Sequence, residues 1–211
     1  MSKWLTMILA GSLLAACGGN VSLVEPVRYD FGSPGAQTSE SGSVATLPLA
    51  AIEVRTASWL AGPAMHFRFA YAEPLRRQSY AQSRWAAPPA ELLEVFLKRR
   101  LASAPSGFGG TGCRLKLALD ELEQRFDDPR QSRLVLEARA VLTPLHGSEI
   151  LSRRAFLITQ PAAAAAAGAG AAAAREAVQA LAADLGNWLG QLAREKPAIV
   201  ERCRTLSKLE R

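Results

Sequence analysis

Histidine is almost absent from this chain: two stand among 211 residues, with three cysteines and 7% aromatics. His66 and His146 have no cysteine or carboxylate at ligand spacing, so the sequence offers no metal set and none is expected. No G-x-S-x-G occurs, and no nucleophile has a base placed to activate it, so neither a catalytic residue nor an enzyme is expected. "GFGGTG", Gly107 to Gly112, matches a dinucleotide fingerprint by letter only. Phosphate binding there needs a strand before and a helix after, and here a helix precedes and a strand follows. No cofactor is expected. The carboxylates Asp120, Glu121 and Glu123 could suggest an acid–base pair, but strand context explains them better. Asp127-Asp128 reads as a turn before it reads as a calcium site. Long apolar runs are missing too. The run from Trp4 to Ala16 falls short of the roughly 20 residues that span a bilayer, yet it suits the apolar core of a secretory signal.

That run ends in Leu14-Ala15-Ala16-Cys17-Gly18, which resembles the bacterial lipobox. Small residues before the cut admit extended backbone to a peptidase cleft, and the Cys17 thiol is the atom that takes the diacylglycerol. The alternatives are an ordinary signal peptide with an incidental cysteine and a buried N-terminal helix. Residues 1–16 are therefore expected to be a lipoprotein signal peptide, and 17–26 a lipidated start and tether. A single acyl chain binds a membrane marginally, at about 0.8 kcal/mol per buried methylene, and two or more hold it firmly. An aspartate directly after the cysteine retains many Gram-negative lipoproteins in the inner membrane. Gly18 stands there instead, which resembles an outer-membrane address on the periplasmic face.

About 190 residues would remain after processing, enough for one domain with a real core. Apolar content of 49% with 21% charge is globular. The net charge is +6, in scattered groups such as Arg76-Arg77, Lys98-Arg99-Arg100 and Arg153-Arg154. Nucleic acid is excluded by compartment. Anionic head groups or an acidic protein remain alternatives to a plain solvated surface. In an oxidising compartment Cys113 and Cys203 are a candidate disulfide, two buried free thiols being the alternative.

Alternation predicts strands at Val27–Phe31, Ile52–Thr56 and Met65–Tyr71, with a Gly/Ser/Pro-rich loop from Gly32 to Thr46. Pro88-Pro89 opens an amphipathic helix whose apolar face holds Leu92, Leu93, Phe96, Leu97 and Leu101. From Cys113 a strand runs on, with a phase slip at Asp120-Glu121 that a bulge would explain. Leu134 to Leu142 returns beside it, and Ile150 to Ile158 supplies another strand, so these read as an antiparallel meander. Residues 162–174 are an alanine-rich low-complexity insert broken by Gly168 and Gly170, with ordered helix expected from about Ala171. Val178, Leu181, Leu185, Trp188, Leu189 and Leu192 then form one stripe, read as packing against the sheet. The expected fold is α+β: an antiparallel or mixed sheet packed against two main helices, as a single domain over 27–211.

Four segments in this order resemble the ABC-type transport auxiliary lipoprotein family, over residues 27 to 195. They are "RYDFGSP", "IEVRTASWLAGPAM", "SRWAAPPAELLEVFLKRRL" and "CRLKLALDELEQRFDD". The third is the most telling, because the family tends to set Arg/Lys-Trp-Ala-x-Pro before its first helix. Phe31 in place of leucine, the long alanine tract and the basic Leu75-Arg76-Arg77 stretch depart from the pattern. The resemblance implies a non-catalytic lipoprotein accompanying an MCE-domain lipid transport system. Its partners would be a periplasmic MCE protein and an inner-membrane permease and ATPase, with self-association into a homo-oligomer left open. Trp59, Arg84 and Trp85 are candidate partner contacts, and for both rings the sequence equally supports packing in the core. The alternative function is a structural or assembly lipoprotein that stabilises an outer-membrane protein.

Overall fold

The computed structural model describes residues 25–34, 47–101 and 111–204. The expected signal segment, Cys17, most of the tether and of the Gly32–Thr46 loop, and Gly107 to Gly110 lie outside them.

Two long strands carry the sheet. Strands β5 (Cys113–Phe126) and β6 (Ser132–Pro144) pair antiparallel from Cys113↔Pro144 to Phe126↔Ser132. Strand β7 (Ser152–Ala162) adds to β6, which completes the expected meander. On its other edge β5 carries two shorter strands end to end, and both run parallel to it. Strand β2 (Leu49–Thr56) lies against its first half and β3 (Ala64–Phe69) against its second. A 3-10 turn, Ser58–Leu60, joins those two. Strand β4 (Gln78–Trp85) pairs with β3, and β1 (Val27–Tyr29) runs parallel to β4 at the edge. The result is a mixed seven-stranded sheet in the order β1-β4-β3-β5-β6-β7, with β2 beside β5. Three α-helices complete a single α+β domain: α1 (Pro89–Leu101), α2 (Ala167–Glu195) and α3 (Pro197–Arg204).

The helices cover one face only. Leu115, Leu117 and Leu119 of β5 and Leu136, Ala138 and Leu142 of β6 are buried beneath them, as are Val178, Leu181 and Leu185 of α2. Each such leucine contributes roughly 1.5–3 kcal/mol by leaving water. Helix α1 lies over β2, where Glu94 accepts the Val54 backbone N–H at 2.9 Å. That bond satisfies a strand-edge donor that would otherwise invite another chain.

Helix α2 starts at Ala167, four residues before the expected Ala171. The two glycines do not break it; they let it approach the sheet. A Cβ on Gly170 would stand 2.0 Å from Gln124 Oε1. Gln124 cannot swing away freely, because Tyr80 Oη donates to its Oε1 at 2.9 Å and its Nε2 donates to Ser132 Oγ at 2.8 Å. Gly168 similarly passes close to the Tyr29 hydroxyl. Much of the stretch read as an insert is thus core helix, with Ala171, Ala173 and Ala174 buried.

Candidate functional site

The face of the sheet that the helices leave open holds the molecule's charged architecture. Its composition follows from parity along β5, where Leu115, Leu117 and Leu119 point inward and Arg114, Lys116 and Ala118 point out. The pairing slips between Leu119 and Glu121, at the expected bulge. The slip sets Asp120 and Glu121 on the same open face, and Glu123 and Arg125 follow them.

Each of these acids holds an arginine. Asp120 takes Arg139 through two bonds of 2.7 Å. Glu121 takes Arg77 at 2.7 Å, and Glu123 takes Arg68 at 3.1 Å and Arg125 at 2.6 Å. The Glu123 side chain has no exposed surface. Burial pushes its carboxyl up, but the bonds from the Arg68 and Arg125 guanidiniums outweigh that and hold it below the ordinary value of 4.5. The cluster is an ion network and not a proton-transfer pair. A lowered folded-state value means this stabilisation is full above the ordinary carboxylate range and is lost as pH falls through the folded value. Glu123→Gln should therefore cost about 2 kcal/mol at neutral pH and flatten the loss of stability below about pH 4.5. Thermal melts of both proteins from pH 7 down to 3 read this out, and identical acid limbs would refute it.

Asp128 behaves as a turn residue: its Oδ1 accepts the backbone N–H groups of Arg130 and Gln131 at 2.7 and 2.8 Å. Among the described residues no three His, Cys, Asp or Glu side chains gather as a metal site. No helix there is long and apolar enough to cross a membrane. Tyr80, half-covered above Gln124, has its hydroxyl pushed up to about 12 by burial.

The expected contact residues separate. Trp59, in the turn between β2 and β3, is 56% exposed. Arg84 is exposed on β4. Trp85 is not available: it is 3% exposed, with its ring 5.2 Å from that of Phe31. Alternation along β4 turns Arg84 outward and Trp85 inward, so the reading of Trp85 as a partner contact gives way to core packing. The Cys113 and Cys203 sulfurs are bonded, joining the start of β5 to α3.

The sequence reading missed a second feature of the open face. Its register sets Glu53, Lys116, Val141 and Arg153 in one row across β2, β5, β6 and β7, and Arg55, Ala118, Arg139 and Ala155 in the next. The small side chains leave a hollow of about 350 Å³ between the cations, bordered by Ser148 and Ile150 of the β6–β7 connection. Alternate cations on separate strands were visible in the sequence, but only the register brings them together.

The domain thus has one sheet face sealed by helices and the other left as a grooved, charged surface. A protein from Xanthomonas campestris has a similar fold at 17% identity and a TM-score of 0.62, covering 82% of this chain and 96% of that one. The chain belongs to the ABC-type transport auxiliary lipoprotein component family, whose model matches residues 29–186. A second solved structure, titled only as an uncharacterized protein, is similar at 14% identity and a TM-score of 0.62, over 78% of this chain and 99% of that one. A putative lipoprotein from Caulobacter crescentus matches at 16% identity over 69% of this chain and 93% of that one. Its TM-score of 0.39 carries no argument. No curated protein matches the chain.

Proposed function

We propose that this protein is a non-catalytic lipoprotein, anchored through Cys17 to the periplasmic face of the outer membrane, that serves an MCE-type intermembrane lipid transport system. The observation that carries the reading is the family match beginning at Tyr29, a short tether beyond the Leu14-Ala15-Ala16-Cys17 box. Membership supplies the auxiliary role in ABC-type transport. The box supplies the anchor, and Gly18 in place of a retention aspartate supports the outer membrane. The partners in this reading are a periplasmic MCE-domain protein and an inner-membrane permease with its ATPase. Trp59 and Arg84 are the contacts we assign to that partner, both being exposed on the side of the sheet that holds β3 and β4.

Anchoring has a direct test. In cells fed a labelled fatty acid, wild-type protein should carry label and sediment with outer-membrane fractions. Cys17→Ala should carry none and leave the membrane, since the tether has no other acyl acceptor of this kind. Equal labelling of the two proteins would contradict the anchor, and label in inner-membrane fractions alone would contradict the address.

A further inference from the structure

The hollow on the open sheet face has charge, shape and an unpartnered hydroxyl, and the described ion pairs do not use it up. Ala118 forms part of its floor. Adjacent strands lie about 4.8 Å apart, so Arg55 and Arg139 stand roughly 10 Å apart on either side of that alanine, with Lys116 about 7 Å along the strand. Arg139 is shared with Asp120, and Glu53, the acid lining the hollow, is held by Arg114 at 3.0 Å. Arg55, Lys116 and Arg153 have no carboxylate partner among the described residues. Arg55 and Lys116 therefore face this concavity, and Arg153 faces its continuation along β7, a second hollow of about 360 Å³ that shares Arg139, Val141 and Ile150. Thr143 also lines the first hollow. It is 2% exposed, and its Oγ1 has no hydrogen-bond partner among the described residues.

The walls are not only cationic. Val141 and Ala118 make an apolar floor, Ile150 is 57% exposed at the rim, and Leu157 is 70% exposed two residues beyond Ala155. Free inorganic phosphate would gain nothing from that surface. A flat acidic protein face would reach the rim arginines but leave the floor and Thr143 empty. A phosphodiester with a glycerol and the start of an acyl chain uses all of it.

We propose that this hollow binds the headgroup of an anionic phospholipid. The phosphate sits among Arg55, Lys116 and Arg139, where charge-assisted bonds are the strong ones, and the glyceryl and first acyl carbons lie toward Ile150. The choice of ligand rests on the lipid-transport reading; the site itself rests on the geometry above.

The test uses the full mature lipoprotein in a neutral detergent, titrated calorimetrically with dihexanoyl-phosphatidylglycerol. Saturable binding is expected. Reversing two cations together, Arg55→Glu with Lys116→Glu, should weaken it about tenfold or more. Arg130→Glu with Arg99→Glu, two exposed positions that do not line the hollow, changes net charge by the same amount and should leave it within about twofold. Ile150→Asn, which adds no charge, should also weaken it, and a purely electrostatic site would not show that. Unchanged melting temperatures will show that the variants fold. Several outcomes overturn the site: no saturable binding by the wild type, equal losses in the hollow variant and the charge-matched control, full competition by inorganic phosphate, or displacement by an octaglutamate peptide with higher affinity. The last would make the face an acidic-protein surface. Capture of the MCE protein, measured on the same preparations, keeps the readings apart. Capture without lipid binding removes this site alone, and lipid binding without capture removes the transport assignment and leaves the site.

Discussion

Cys203→Ser is expected to lower the stability of the oxidised protein by about 4–5 kcal/mol, the value for a closed loop of this size in the chain-entropy model. The two cysteines stand 90 residues apart in sequence. The loop between them contains all of β6, β7 and α2, so the open chain gains the freedom of most of the sheet's second half. The released end is itself part of the core, because Ile199, Val200 and Cys203 of α3 are buried. The backbone also closes there, with Gly112 N–H donating to the Cys203 carbonyl at 2.6 Å. Gly112 has a φ of +131°, and a Cβ would meet that of Ala50 at 2.6 Å, so the junction has no slack to absorb a displaced helix. Urea unfolding of the wild type with and without reductant, beside Cys203→Ser, measures the difference. Coincident curves for oxidised and reduced wild type would refute the contribution.

Trp85→Ala is expected to cost about 3–5 kcal/mol in stability, the range for deleting a large buried ring. The ring packs on Phe31 just beyond β1, and the Trp85 backbone N–H donates to the Pro63 carbonyl at 2.8 Å. It fastens the short edge strand to the body of the sheet, so part of the loss should appear as fraying of β1, readable by amide exchange. Trp59→Ala provides the contrast. With 56% of its surface exposed, it should change stability by no more than about 0.5 kcal/mol, and its effect should fall on partner binding, at about 2 kcal/mol. A Trp85→Ala protein as stable as the wild type would contradict its place in the core. A Trp59→Ala protein unchanged in partner binding would remove Trp59 from the interface.

The two tryptophans show where sequence reasoning reached and where it stopped. Long alternating runs identified β5 and β6, and even the bulge, because the phase of apolar residues slips visibly at Asp120-Glu121. Strand β4 escaped because Gln78, Ser79, Gln82 and Ser83 blur its alternation. It forms by pairing with β3 and β1, information its own residues do not hold. That omission is also why Trp85 read as a loop aromatic: without the strand there was no parity to turn it inward. The glycines of α2 failed for the converse reason. Helix propensity counts their cost in an isolated segment, whereas here the missing side chain of Gly170 lets Gln124 dock beneath the helix and that of Gly168 leaves room for the Tyr29 hydroxyl. Helix α3 is short and its apolar residues are few, so only the paired cysteines hinted that the C-terminal end returns to the body. Among the expected site residues, Cys17 rests on a linear motif and lies outside the described residues. The hollow at Arg55, Lys116 and Arg139 was not legible, since its members meet only through the register of three strands.

The central claim is attachment of an outer-membrane lipoprotein to an intermembrane transport machine, and capture of the partner tests it most directly. Full-length protein, purified from cells after brief in vivo crosslinking, should bring down an MCE-domain protein together with its permease. Trp59→Ala should reduce that yield while the protein remains folded and lipidated. Recovery of an outer-membrane barrel as the reproducible crosslinked partner, with the MCE protein absent, would contradict the account and favour an assembly role.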